Sequence, residues 1–307
     1  MRRLTIAAAV LAGAVAACGD DDPSVVSEQA GKPVVVTALR PLAEAAEEVG
    51  GSSIVVVDLT PVGDSSHELE LTARSRGEVL DADLAIVLGK GFQPAFERAA
   101  ARRDGPTLDV LAQLALPDRP DGTDGPVDPH VWLDPTIMGS IVTAIGEAVA
   151  DVVPDAAEDV RARAASLVEE HVELDAQLRQ QLATCTRSVL ATQHESFGWF
   201  VARYGLRTAG FDAPLPDDDP APDPARVAAI EPLIEDGEVT TLFVETLSPT
   251  SWLEVIAEER GLDVEVLSAY EGLTLREDAD GVTYRSVLLA ALRAVEDGLD
   301  CREASDD

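Results

Sequence analysis

From Asp155 to Thr184 the chain runs 30 residues without a glycine or a proline. The segment is dense in Ala, Glu, Arg, Leu and Gln, good helix formers. Val160, Leu167, Val168, Leu174, Leu178 and Leu182 recur in it at helical spacing. A helix of this length spans roughly 45 Å. It lies in the middle of 307 residues, about two domains' worth. The segment therefore predicts one long rigid helix joining two lobes.

On both sides of it, strand-like and helix-like stretches alternate. Before it come strands at 34–37, 53–59 and 84–88 and helices at 41–49, 71–80, 92–101 and 136–153. After it come strands at 188–192, 241–245 and 264–267 and helices at 197–204, 225–235, 251–260 and 284–299. Such alternation predicts an α/β fold in which each lobe has a parallel sheet flanked by helices. The expected boundaries are 33–154 for the N-terminal lobe, 155–185 for the linking helix and 186–301 for the C-terminal lobe, with a tail at 302–307. Hydrophobic residues make up 46% and aromatics 4%, so the cores must be largely aliphatic.

The N-terminus reads as an export signal over 1–17. Arg2 and Arg3 precede an uncharged apolar stretch from Leu4 to Ala17, too short for a comfortable membrane span. Small residues lead into Cys18, as in a bacterial lipobox, which makes Cys18 the expected lipidation site and 18–32 a polar tether. No other stretch is expected to cross a bilayer. The expected location is the outer face of the bacterial cell membrane, held by the N-terminal lipid. Outside the lipobox, Cys185 and Cys301 are the remaining cysteines, and in an oxidising compartment they are expected to pair. In the chain-entropy picture such a bridge contributes about 4 kcal/mol.

Lys and Arg number 23 against 57 Asp and Glu, a formal net charge of -34. Nucleic acid as a partner is excluded on that ground. An acidic shell concentrates cations, although charge spread along the chain also serves solubility.

Three of the four histidines stand where a strand or loop leads into a helix. His67 follows Gly63-Asp64-Ser65-Ser66, His130 sits in Asp128-Pro129-His130-Val131-Trp132-Leu133-Asp134-Pro135, and His194 follows Thr192-Gln193. In open α/β sheets that edge is where ligands bind. One histidine alone means little, but three at equivalent edges point to a metal site assembled by the fold, and imidazole suits zinc. His171, on the charged face Glu169-Glu170-His171, is expected to be solvent-exposed. Asp118, Asp121, Asp124 and Asp128 lie in a Pro/Gly-rich stretch read as a solvated loop.

These segments, with Leu242-Phe243-Val244-Glu245, resemble the metal-binding lipoproteins of zinc and manganese ABC importers over about residues 33–301. The resemblance implies two lobes with the metal in the cleft between them, a monomer, and delivery of the ion to a membrane permease. It implies His67, His130 and His194 as ligands. The histidine at the third position favours Zn2+ over Mn2+, which prefers oxygen. Two departures matter. Ser65-Ser66 stands where the family has Asp-Pro. Ser268 stands at the family's usual aspartate, so the fourth position falls to water, to Glu271 or to another carboxylate, with Glu245 read as lying behind the ligands. A binding protein rather than an enzyme is the expected class. The alternatives are an exported zinc hydrolase with a three-histidine site and a stand-alone scavenging or adhesion lipoprotein.

Overall fold

A computed structural model describes residues 31–122, 125, 127–210, 224–248 and 251–302. The expected signal peptide, the Cys18 lipid site, most of the tether, residues 211–223 and the tail beyond Arg302 lie outside the described residues.

Val34–Thr37 (β1), Val55–Asp58 (β2), Leu84–Val87 (β3) and Thr107–Asp109 (β4) form one sheet in the order β2-β1-β3-β4. Every pairing is parallel, with Val36 beside Val57 and Ala85, and Ile86 beside Leu108. Val189–Thr192 (β5), Arg207–Gly210 (β6), Thr241–Glu245 (β7) and Asp263–Leu267 (β8) form a second parallel sheet in the order β6-β5-β7-β8. The two orders are the same, so the similar rhythm of the two halves reflects one topology used twice. In each sheet the chain steps outward one way and then returns to the other side of its first strand. That switch leaves a crevice at the carboxyl ends of the central strands. The edge strands β4 and β6 escape the sequence reading because they are short and lack the apolar run of a strand buried on both faces.

Helices cover the sheets. In the first lobe these are Arg40–Gly50 (α1), Ala73–Asp81 (α2), Pro94–Ala100 (α3), the single turn Val110–Gln113 (α4) and Pro135–Val152 (α5). Ala157–Leu182 (α6) is the long helix, 26 residues and about 39 Å. Gly198–Tyr204 (α7), Pro224–Glu235 (α8), Ser251–Arg260 (α9), Leu275–Asp280 (α10) and Tyr284–Gly298 (α11) complete the second lobe. Proline and capping side chains set several boundaries. Pro135 opens α5 behind an Asp134 cap, and Thr274 with Glu277 forms a capping box on α10. By length and composition α5 could cross a membrane, contrary to the sequence expectation, yet half of it is buried within the protein. It packs along α6 as a core helix.

One apolar cluster runs through both lobes. It joins Leu42 of α1, Ile141 and Ile145 of α5, Val160, Leu167 and Leu174 of α6, Leu190 and Phe243 of the second sheet, and Val287 and Leu292 of α11. Smaller clusters fill the outer side of each sheet, around Phe96 in the first lobe and Leu242 and Leu253 in the second. The linking helix is thus embedded between the lobes rather than strung across solvent.

One expectation is corrected here. His171 is buried, 6% exposed, and stacks on Tyr284 with ring centroids 5.0 Å apart. It falls four residues after buried Leu167 and three before buried Leu174, on the inward stripe of α6. Its Nδ1 donates to the Leu167 carbonyl at 2.6 Å. The neighbouring glutamates face outward and do not report on this position. Cys185 and Cys301 form the expected disulfide, joining the end of α6 to the end of α11 across 116 residues.

Candidate metal centre

Each histidine stands in or opens a short helical turn, and those of His67 and His194 follow β2 and β5. After β2 the chain enters the single helical turn Ser66–Glu68, whose Ser65 cap accepts from the His67 N–H. Ser66 is fully buried, and its carbonyl accepts from Gln93 Nε2 at 3.2 Å. The His67 ring packs edge-on against Phe92, centroids 4.4 Å apart. His194 follows β5 directly and opens the turn Glu195–Phe197.

The Asp128–Pro135 motif resolves residue by residue. Asp128 accepts from the His130 backbone N–H at 3.1 Å and from its Nδ1 at 2.8 Å, which leaves Nε2 as the donor atom for a ligand. Val131, Trp132 and Leu133 are buried. Trp132 Nε1 donates to the Ala269 carbonyl at 2.7 Å. Asp134 caps α5 through Thr136 N–H at 2.8 Å. Asp128 is therefore part of the site's support and not a solvated loop residue. Of the other loop aspartates, Asp118 pairs with Lys90 and Asp121 with Arg119.

The donor nitrogens of His67, His130 and His194 all lie within 4.8 Å of one another. His67 Nε2 and His130 Nε2 are 3.3 Å apart. Glu271, four residues beyond β8, places Oε1 3.0 Å from His67 Nε2 and 3.1 Å from His130 Nε2. Ser65 Oγ donates to the other oxygen, Oε2, at 3.1 Å. Ser268 does something else: its Oγ accepts from the Tyr270 N–H at 3.3 Å, closing a turn. Four-coordinate zinc has arms of about 2.0–2.1 Å, and the edges of such a tetrahedron are about 3.3–3.4 Å. These three separations approach that edge length.

A family model described as zinc-uptake complex component A, periplasmic, matches residues 35–298. The chain belongs to this family. It is 25% identical over 284 residues to the zinc-binding lipoprotein AdcA of Streptococcus pneumoniae strain R6, covering 88% of this chain and 56% of that protein. It thus spans about half the length of the AdcA proteins that it matches. Against the high-affinity zinc uptake system protein ZnuA of Bacillus subtilis it is 25% identical over 303 residues, covering 93% of each. The fold matches the Zn(II)-bound ZnuA-like domain of pneumococcal AdcA with a TM-score of 0.75 at 24% identity, covering 88% of this chain and all of that one.

In this zinc-uptake family member the charges at the site are strongly coupled. Burial opposes charging the His130 imidazole, but hydrogen bonds to Asp128 and Glu271 outweigh it and push it up to about 10. Burial likewise works against the Glu271 carboxylate, yet His130 and His67 hold it well below the usual range. Metal binding at donors of this kind releases protons. Glu245, at the end of β7, behaves differently. Burial and then repulsion from Glu271 push it up to about 8, against the hydrogen bond it accepts from Ser196 Oγ at 2.7 Å. A carboxyl that stays neutral is a poor ligand, in keeping with a place behind the donors.

Asp128, Ser65 and Phe92 support the site in roles that the sequence reading does not assign them. The Asp-x-His spacing carried a signal for Asp128, since an aspartate two residues before a histidine can reach both its N–H and its Nδ1. No comparable signal marks Phe92.

Proposed function

We propose that this chain is an exported solute-binding protein that captures one zinc ion with His67, His130, His194 and Glu271 and hands it to the permease of an ABC-type importer. The reading is carried by the clustering of the three histidine donors within 4.8 Å of one another, with Glu271 Oε1 3.0–3.1 Å from two of them, close to the edge of a tetrahedral zinc site. A set of three nitrogens and one carboxylate is closed, as in sites that hold zinc, whereas catalytic zinc keeps a position open for water. This favours capture over hydrolysis. Three imidazoles favour Zn2+ over the harder Mn2+. The name of the family supports export, and Cys18 supplies a lipid tether to the membrane that carries the permease. The protein acts as a monomer, with one ion per chain.

Zinc titration of the mature domain, with elemental analysis, tests the reading. One zinc per chain is expected, and His130→Ala is expected to abolish tight binding. Retention of full affinity in that variant removes the assignment. Failure of the wild-type gene to restore zinc uptake to a deletion strain would remove delivery.

A further inference from the structure

Glu271 reaches the histidines from a turn in a costly conformation. Tyr270, the residue before it, has φ +58°, the left-handed region that bulky side chains avoid. Such a conformation persists only where the surroundings over-determine it. Here they do. Tyr270 is fully buried. Its hydroxyl donates to Glu44 on α1 and lies 3.2 Å from the Val282 carbonyl. Glu44 is itself buried and accepts from the Tyr284 N–H at 3.0 Å to each oxygen. On the two sides of Tyr270, Trp132 Nε1 holds the Ala269 carbonyl, and Gly63 N–H donates to the Leu273 carbonyl at 2.7 Å.

A buried carboxylate–phenol pair is not a cheap way to fill a core. An apolar pair of similar volume would pack there without a desolvation cost. What the polar pair adds is direction: it fixes the ring, and the ring fixes the backbone angle from which the next residue departs. A rotation about φ at Tyr270 would swing Glu271 bodily away from His67 and His130. The tyrosine is engaged with α1 of the first lobe, where Pro41 and Leu42 are also rooted in the core. The turn is therefore referenced to the lobe that supplies those two histidines.

We infer that Tyr270, locked to Glu44, is a positioning residue that holds the turn so that the Glu271 carboxylate meets His67 and His130. Zinc affinity then depends on a hydroxyl that does not itself face the ion. This rests on the reading of Glu271 as the fourth ligand.

The experiment is a double-mutant cycle on the full mature protein. Zinc affinity is measured by chelator competition, and the visible spectrum of the Co2+-loaded protein reports ligand geometry. Tyr270→Phe removes only the hydroxyl. It is expected to weaken zinc about ten- to a hundredfold, as loss of an outer partner does, and to shift the cobalt bands. In the Glu271→Gln background the same change is expected to do nothing further. Equal loss in both backgrounds, or no loss with Glu271 present, overturns the positioning role. Glu44→Gln, which disturbs the same lock from the other side, must follow the same pattern and serves if Tyr270→Phe does not fold. The two readings fail differently. If Glu271→Gln leaves affinity and spectrum unchanged, the ligand assignment falls and the positioning role with it. If Glu271→Gln weakens zinc while Tyr270→Phe does not, only the positioning role falls.

Discussion

Glu271 Oε1 stands 3.0 Å from His67 Nε2, although 204 residues separate the two along the chain. The contact joins the last βα connection of the second lobe to the first histidine loop of the first. Ser65 braces it, donating to the second carboxylate oxygen. In the proposed site Ser65 thus works with the glutamate that takes the fourth position.

Charge and reach at position 271 are expected to matter separately. Glu271→Gln keeps the size and removes the charge, and zinc affinity should fall by at least about tenfold, the loss seen when even an outer partner is removed. Ser268→Asp added to Glu271→Gln should not restore it, because Ser268 Oγ is turned to the Tyr270 N–H. Isothermal competition against a chelator of known affinity measures both; recovery in the double variant would show that the family's aspartate position still faces the ion.

Gly272 is required by a close approach between the lobes. A Cβ there would sit 2.3 Å from the Asp64 carbonyl oxygen, which is backbone and cannot swing aside. Gly272→Ala should therefore push the Glu271 turn off the His67 loop. A stability loss of about 1–3 kcal/mol, the usual cost of overpacking, is expected together with weaker zinc binding. Urea unfolding and metal titration read the two effects, and a variant that matches the wild type in both would contradict the packing described.

His171 makes stability depend on pH in a definite direction. Burial holds its pKa below the ordinary 6.5, against the pull of its bond to the Leu167 carbonyl and of nearby Glu170, with Arg285 adding to the lowering. The unfolded chain therefore binds this proton more readily than the folded one. Stability is intact above the ordinary histidine pKa and declines as pH falls through it, levelling off below the folded value. His171→Phe can keep the stack on Tyr284 and removes the titration. Its melting temperature should fall less than the wild type's between pH 7.5 and 5.5. Parallel falls would show that His171 does not contribute.

The disulfide closes a separation of 116 residues. Cys185→Ser with Cys301→Ser should lower unfolding free energy by about 4–5 kcal/mol in the loop-entropy model. Zinc affinity should stay close to wild type, since the bridge ties α6 to α11 away from the histidine turns. Urea melts with and without reductant test this, and a stability equal to the oxidised protein would show that the pair contributes nothing.

Much of the architecture was legible because it is written in short-range pattern. β1, β7 and α9 begin and end where the apolar runs and their flanking residues place them. The long helix follows from the absence of any breaker between Asp155 and Thr184, and the structure sets its bounds two residues inside at each end, at Ala157–Leu182. For His171 the charged neighbours point outward but the helical phase points inward. Counting four back to Leu167 and three forward to Leu174 puts it inside.

By itself, then, the sequence determined two α/β halves, the helix between them, the disulfide partners and three histidines at strand-to-helix edges. Periodicity, capping and residue chemistry are properties of a few consecutive residues, so no knowledge of the rest of the chain is needed to read them. Tertiary structure alone decided that Glu271 faces His67 and His130, that Ser268 closes a turn instead, and that Tyr270 is held against Glu44. Those outcomes depend on which strand ends meet in the crevice and on a backbone angle imposed by packing across the lobes. Neither is encoded in the residues next to Glu271, which is why its proposed place as the fourth ligand had to wait for the fold.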